Sequence, residues 1–148
     1  MLRVLTPALL ALATALPAVA QDVSADVAAK AAATRAQIAQ MFGAEPAFVG
    51  QIADSALPGL WEQTMAVEFS DDTALDAKTK ALISLAVSAQ IPCQYCIWMD
   101  TNSARSAGAT DQEIGEAVAI AGLTRNWSTV FNGLQVDFDQ FKAQLAGN

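Results

Sequence analysis

Cys93 and Cys96, in IPCQYCIWMD at residues 91–100, are the only cysteines of a 148-residue chain that contains no histidine. Three residues apart on a helix, two cysteines share a face one turn apart and can cycle between dithiol and disulfide. Pro92 suits the opening turn of a helix and disfavours helical backbone at Ile91, which sets Cys93 at or near the first turn. Unpaired backbone N–H groups at that end favour a thiolate. Cys93 is therefore the expected nucleophile, and Cys96, deeper in the helix, the resolving partner. Asp100 follows Cys96 by one turn and faces the same side. An ordinary carboxyl pKa of about 3.9 makes it a weak base unless burial raises it, and its anion opposes a neighbouring thiolate. The plainer reading of Asp100 is a solvated or capping carboxylate.

Other uses of the pair fit less well. A zinc site takes four ligands, and two cysteines without histidine supply half of them, so no metal or cofactor is expected. Two independent buried thiols sit poorly with an oxidising compartment, where helical neighbours pair. A structural disulfide is the serious rival. Closing a four-residue loop removes only about 2 kcal/mol of unfolded-state entropy, against about 3 for a 15-residue loop, so it makes a weak staple and redox use leads.

The compartment is written at the N-terminus. In MLRVLTPALLALATALPAVAQD, Arg3 gives a short positive segment, an apolar run extends from Val4 to about Leu16, and Ala18-Val19-Ala20 has the small-x-small form of a cleavage site. The run is too short to span a membrane and is interrupted by Pro7 and Pro17. Residues 1–20 are expected to be a signal peptide, and residues 21–148 a single helical domain working in the periplasm or outside the cell, where disulfides persist. Without Arg3, seven basic residues stand against fifteen acidic ones, a formal charge of −8 (7 − 15). Nucleic acid and anionic membranes, which need basic patches, are excluded as partners.

The elements that carry the pair read as helices throughout. Ser24 caps a first helix to about Met41, which Gly43 ends; Pro46 opens a short second one; residues 60–70 form a third. A largely apolar helix from about Asp76 to Ala89, with Leu82, Leu85, Ala86 and Ala89 in one stripe and Ile83 and Val87 widening it, is expected at the centre of the bundle. The cysteine helix follows and stops near residue 107 at Gly108. Thr110 and Glu113 form a capping box for a helix from Asp111 to about Ala121. Gly122 is expected to break the chain before a last amphipathic helix from residue 123 or 124 to Leu145, carrying Trp127, Val130, Phe131, Leu134, Phe138 and Phe141. Tyr95 and Trp98 read either as the lining of an apolar pocket beside the sulfurs or as core and interface residues. Arg125 faces a similar choice between a substrate and a carboxylate.

LDAKTKALISLAVSAQIPCQYCIWMD, residues 75–100, resembles the core of the alkylhydroperoxidase D-like and carboxymuconolactone decarboxylase family. The likeness lies in Leu-Asp-x-Lys-x-Lys, the apolar helix, Cys-x-x-Cys at the matching distance and the Thr-x-x-Glu helix start beyond it. The resemblance covers most of the mature chain, with its specificity in residues 75–120. It implies an all-α, alkylhydroperoxidase D-like helical bundle that assembles as a homo-oligomer, a trimer or hexamer. The redox branch reduces small organic hydroperoxides with electrons from a dithiol protein, whereas the decarboxylase branch lacks the cysteine pair. That redox branch carries a glutamate twelve residues before the first cysteine and a histidine four after the second, which together move the proton that activates a thiol. Here those positions are Ala81, which can carry no proton, and Asp100, which the resemblance makes the candidate proton acceptor beside Cys93 and Cys96. Glu62 or Glu68 is the candidate to replace the missing acid. The sequence thus points to an exported thiol-disulfide protein with weak peroxidase activity. The alternatives are a non-catalytic helical assembly with a structural Cys93–Cys96 disulfide, and a carboxymuconolactone decarboxylase-like enzyme.

Overall fold

The computed structural model describes residues 24–146, among which there are six α-helices and no strand. The expected signal peptide lies outside the described residues. No helix among those described is long and apolar enough to cross a membrane. The chain divides into two compact units between Pro58 and Gly59.

In the first unit α1 spans Ala25–Phe42. The Ser24 side chain accepts the Val27 N–H at its start, and Gly43 takes the left-handed conformation (φ 80°) that closes its end. Pro46 opens a single 3₁₀ turn, Ala47–Gln51. Ala31, Thr34, Ile38, Val49 and Leu57 are buried. Arg35 pairs with Asp54 at 2.8 Å and with Glu45 at 3.4 Å, tying α1 to the segment that follows it.

α2 (Leu57–Thr64) crosses the division and ends in a π turn, Met65–Phe69. It begins three residues earlier than the sequence suggested because Pro58 fits its first turn, where the missing N–H has no helical partner to lose. In the second unit α3 (Ala77–Gln90) is capped by Asp76, whose carboxylate accepts the Thr79 N–H at 2.7 Å. It packs on both α4 (Gln94–Ser106) and α5 (Asp111–Gly133). Its buried stripe is Ala81, Leu85 and Ser88, while Ile83 and Val87 are exposed. Of the expected stripe Leu85 is buried and Leu82, Ala86 and Ala89 are half-buried, whereas the widening by Ile83 and Val87 does not occur.

α4 stops where Gly108 turns left-handed (φ 84°), with the Ala109 N–H donating to the Ala104 carbonyl. The Thr110–Glu113 capping box opens α5 as the sequence requires. The expected break at Gly122 does not occur. α5 runs through it to Gly133, since an isolated glycine costs a helix only about 1 kcal/mol. The break comes instead at Gln135 (φ 52°), where the Gln135 and Val136 N–H groups close the helix on the Asn132 and Phe131 carbonyls. α6 (Phe138–Leu145) follows, capped by Asp137, and returns Phe141 to within 5.2 Å of Phe131, itself stacked on Trp127 at 5.3 Å.

Candidate functional site

Cys93 is the N-cap residue of α4, and its Sγ accepts the Cys96 N–H at 3.3 Å. The two cysteines are joined in a disulfide with their Cα atoms 5.3 Å apart. Both are half-buried. The link from α3 is short: the Ile91 N–H closes α3 on Val87, and the Cys93 N–H donates to the Ser88 carbonyl at 3.1 Å. Pro92, which lacks a backbone N–H, lies between these two bonds. A sulfur in the cap position, facing a helix's first free N–H groups, is placed where negative charge is favoured.

The inward face of α4 carries Cys96, Ile97, Asp100 and Ala104, and Asp100 is partly buried on it. Burial pushes the Asp100 carboxyl above its usual range, opposed by a hydrogen bond with the Ser88 side chain. The shift is in the direction that makes a carboxyl a better proton carrier near neutrality. Ala81 lies two turns before Ser88 on the same buried stripe of α3, 8% exposed, and supplies no proton. Glu62, on α2, and Glu68, in the π turn, are exposed and form no hydrogen bond or ion pair with a described residue. Ser88, 2% exposed, was missed by sequence reasoning. Its legible signal is a hydroxyl inside an apolar run, five residues before a cysteine.

The end of α3 is clamped to α5 by Gln90. Its amide nitrogen donates to the Ala121 carbonyl, and its amide oxygen accepts from Arg125 Nε at 2.7 Å. Arg125 therefore binds an amide rather than a carboxylate. Near the other end of α3, Lys78 pairs with Glu113 at 2.8 Å, so the two helices run side by side in the same direction. Lys78, with the Thr110 backbone and hydroxyl, lowers the Glu113 carboxyl to about 2. Between these ties lies an open groove of about 360 Å³ lined by Leu82, Ile83, Ala86, Ala117 and Ile120, with Thr79, Glu113 and Glu116. The outward face of α4 presents Tyr95 and Trp98, 78% and 70% exposed, so neither belongs to the core of a single chain. Among the described residues no group of three or more cysteine, aspartate or glutamate side chains is placed to hold a metal ion.

This arrangement has relatives. Residues 55–137 match the model of the carboxymuconolactone decarboxylase family. The crystal structure of the alkylhydroperoxidase AhpD core from Rhodospirillum rubrum superposes with a TM-score of 0.63 at 29% identity, covering 80% of this chain and 90% of that one. A Paracoccus denitrificans protein described as uncharacterized protein 4 in the cox locus is 43% identical over 54 residues, 36% of this chain. The match spans about half, 49%, of that relative's length. With its all-helical fold and its helix-capping cysteine pair, the chain belongs to the alkylhydroperoxidase D-like and carboxymuconolactone decarboxylase family.

Proposed function

We propose that the protein is an exported thiol-disulfide redox protein whose Cys93–Cys96 couple reduces small organic hydroperoxides slowly and exchanges electrons with a dithiol protein. The observation that carries this reading is the disulfide at the N-terminus of α4, with the Cys93 sulfur in the cap position. In the reduced protein the Cys93 thiolate attacks the terminal oxygen of R–O–OH. The O–O bond breaks, the alkoxide leaves as alcohol after taking a proton, and Cys93 becomes a sulfenic acid. The Cys96 thiol then attacks that sulfur, the S–O bond breaks and water departs, leaving the disulfide. A dithiol donor restores the pair by exchange, itself becoming a disulfide.

In this reading Asp100, one turn beyond Cys96 and raised by burial, takes the Cys96 proton. The slowness follows from Ala81 and Asp100 standing where the redox branch carries its proton carriers. Export to the periplasm rests on the N-terminal segment, and assembly as a trimer or hexamer rests on the exposed apolar side chains of α4 and α5, among them Tyr95, Trp98, Ile120, Leu123 and Trp127. The deciding experiment measures hydroperoxide consumption by the wild type and by Cys93→Ser with a dithiol supplied. Turnover lost in the variant supports the reading. Unchanged turnover, or a disulfide that dithiol leaves intact in the folded protein, refutes it in favour of a structural role.

A further inference from the structure

Among the described arginines, Arg35 binds Asp54 and Glu45 and Arg105 binds Asp111, but Arg125 pairs with no described carboxylate. Its Nε donates to the Gln90 amide oxygen at 2.7 Å, and a terminal guanidinium nitrogen donates to the Gln90 backbone carbonyl at 3.4 Å. An arginine bound to an amide and a carbonyl keeps its whole charge for what lies beside it, and what lies beside it is the C-terminal end of α3. Of that helix's last carbonyls, Val87's accepts the Ile91 N–H, Ser88's the Cys93 N–H and Gln90's the Arg125 guanidinium. Such carbonyls give a helix end partial negative charge, which a cation offsets.

Two helix poles of opposite sign meet at this junction. α3 ends at Gln90 and Cys93 caps α4, so their Cα atoms, three chain steps apart, are separated by at most about 11 Å. The negative end of α3 thus opposes, at the Cys93 sulfur, the positive end of α4 that favours a thiolate. We infer that Arg125, anchored by Gln90, is a positioning residue for the thiol chemistry: its charge cancels the negative end of α3 and leaves the Cys93 sulfur to the positive end of α4. This rests on the thiol-exchange reading of the site. No other cation shares the task. Residues 81–99 contain no Asp, Glu, Lys or Arg, and residues 117–136 contain Arg125 alone. The remaining charges of the packed helices are engaged elsewhere: Lys78 pairs with Glu113, Lys80 donates to the Ser70 carbonyl, Arg105 pairs with Asp111, and Glu116 accepts from Gln112. Asp100, partly buried on α4, carries negative charge when ionised and acts in the same sense as the end of α3.

The test uses the full folded protein carrying Cys96→Ser, so that Cys93 is the only thiol. Its thiolate is measured by ultraviolet absorbance, with the alkylated protein as blank, at one pH below the midpoint of ionisation. Arg125 is compared with Arg125→Lys, Arg125→Gln and Arg125→Met, with thermal melts to establish that each folds. Arg125→Gln can still donate to Gln90, so it removes the charge while keeping the clamp, and it carries the comparison if Arg125→Met does not fold. At about 0.01 M salt, where charges act over about 30 Å, the neutral variants should hold about two- to fivefold less thiolate, and Arg125→Lys should stay within about twofold of the parent. At about 1 M salt, where the range falls to about 3 Å, the difference should largely vanish. Unchanged thiolate in the neutral variants overturns the assignment. So does a loss that Arg125→Lys shares in full or that salt leaves untouched, which would make Arg125 a structural clamp. Because the absorbance reads ionisation of Cys93 and not turnover, loss of the exchange reading in the Cys93→Ser assay is a separate result from loss of the Arg125 role.

Discussion

The order of the two sulfurs can be tested with single-cysteine proteins. In Cys96→Ser the remaining Cys93 keeps the cap, since the bond it accepts comes from the backbone N–H of residue 96 at 3.3 Å. In Cys93→Ser the remaining thiol lies inside the first turn, with its own N–H already committed to residue 93 and Asp100 one turn away. A charge at a helix N-terminus gains about 0.3–1 kcal/mol when exposed and up to about 2 when partly buried. Both cysteines are half-buried, so a difference of about 1.4 kcal/mol is reasonable, a tenfold larger thiolate population at Cys93. Intrinsic nucleophilicity falls with thiol acidity with a Brønsted slope of about 0.4–0.5, which returns roughly a factor of three. The net expectation is that Cys93 alkylates about threefold faster than Cys96. The assay is iodoacetamide labelling of the two reduced variants near neutral pH, followed by intact mass against time. Equal rates, or a faster Cys96, would refute the cap argument and reverse the roles of nucleophile and resolving thiol.

Four other outcomes are expected. Ala81→Glu combined with Asp100→His should raise hydroperoxide turnover by about tenfold or more, at a cost of roughly 1–3 kcal/mol in stability because residue 81 is buried; this is checked by peroxide consumption and denaturant melts. Light scattering should find a trimer or larger whose mass changes little with salt, and a stable monomer at micromolar concentration would contradict the apolar reading of the α4 and α5 faces. Thr110→Ala should destabilise by about 1 kcal/mol through the α5 cap. The Glu113 carboxyl, lowered to about 2 from 4.5, contributes stability that is present above its unfolded value and lost as pH falls through about 2, so acid melts of Glu113→Gln should show less loss over that window than the wild type.

Most helix limits were legible because they are set by local chemistry. Ser24, Gly43, Pro92, Gly108 and the Thr110–Glu113 pair each act within one turn of their own position, and each marks a boundary in the structure. The break after α5 was not legible. Its left-handed residue is Gln135, which carries no mark of that conformation, while Gly122 carries the mark in the middle of a helix whose neighbouring turns hold it straight. That Cys93, Cys96 and Asp100 follow one another along one helix was legible from their spacing, since a helix fixes which residues share a face. Ser88 was not, because what marks it is its burial and the bond its carbonyl accepts from the Cys93 N–H, and neither has a period along the chain. Arg125 shows the same limit: its charge is plain in the sequence, but its preference for the Gln90 amide depends on how α3 and α5 are set side by side.

On the proposed thiol-exchange reading, Cys93 also makes the first turn of α4 part of the electron equilibrium. Reduction replaces a neutral capping sulfur with one that can carry full negative charge, a stronger acceptor for the N–H of residue 96. Whatever the thiolate adds to that turn is added to the reduced state alone, and by linkage each kcal/mol raises the reduction potential of this two-electron couple by about 20 mV. A protein that docked on residues 93–96 and loosened the turn would therefore make the couple a better reductant, and one that tightened it a better oxidant. On that reading the helix end would serve as a dial by which a docked protein, without supplying a single proton or electron, sets the direction in which the couple runs.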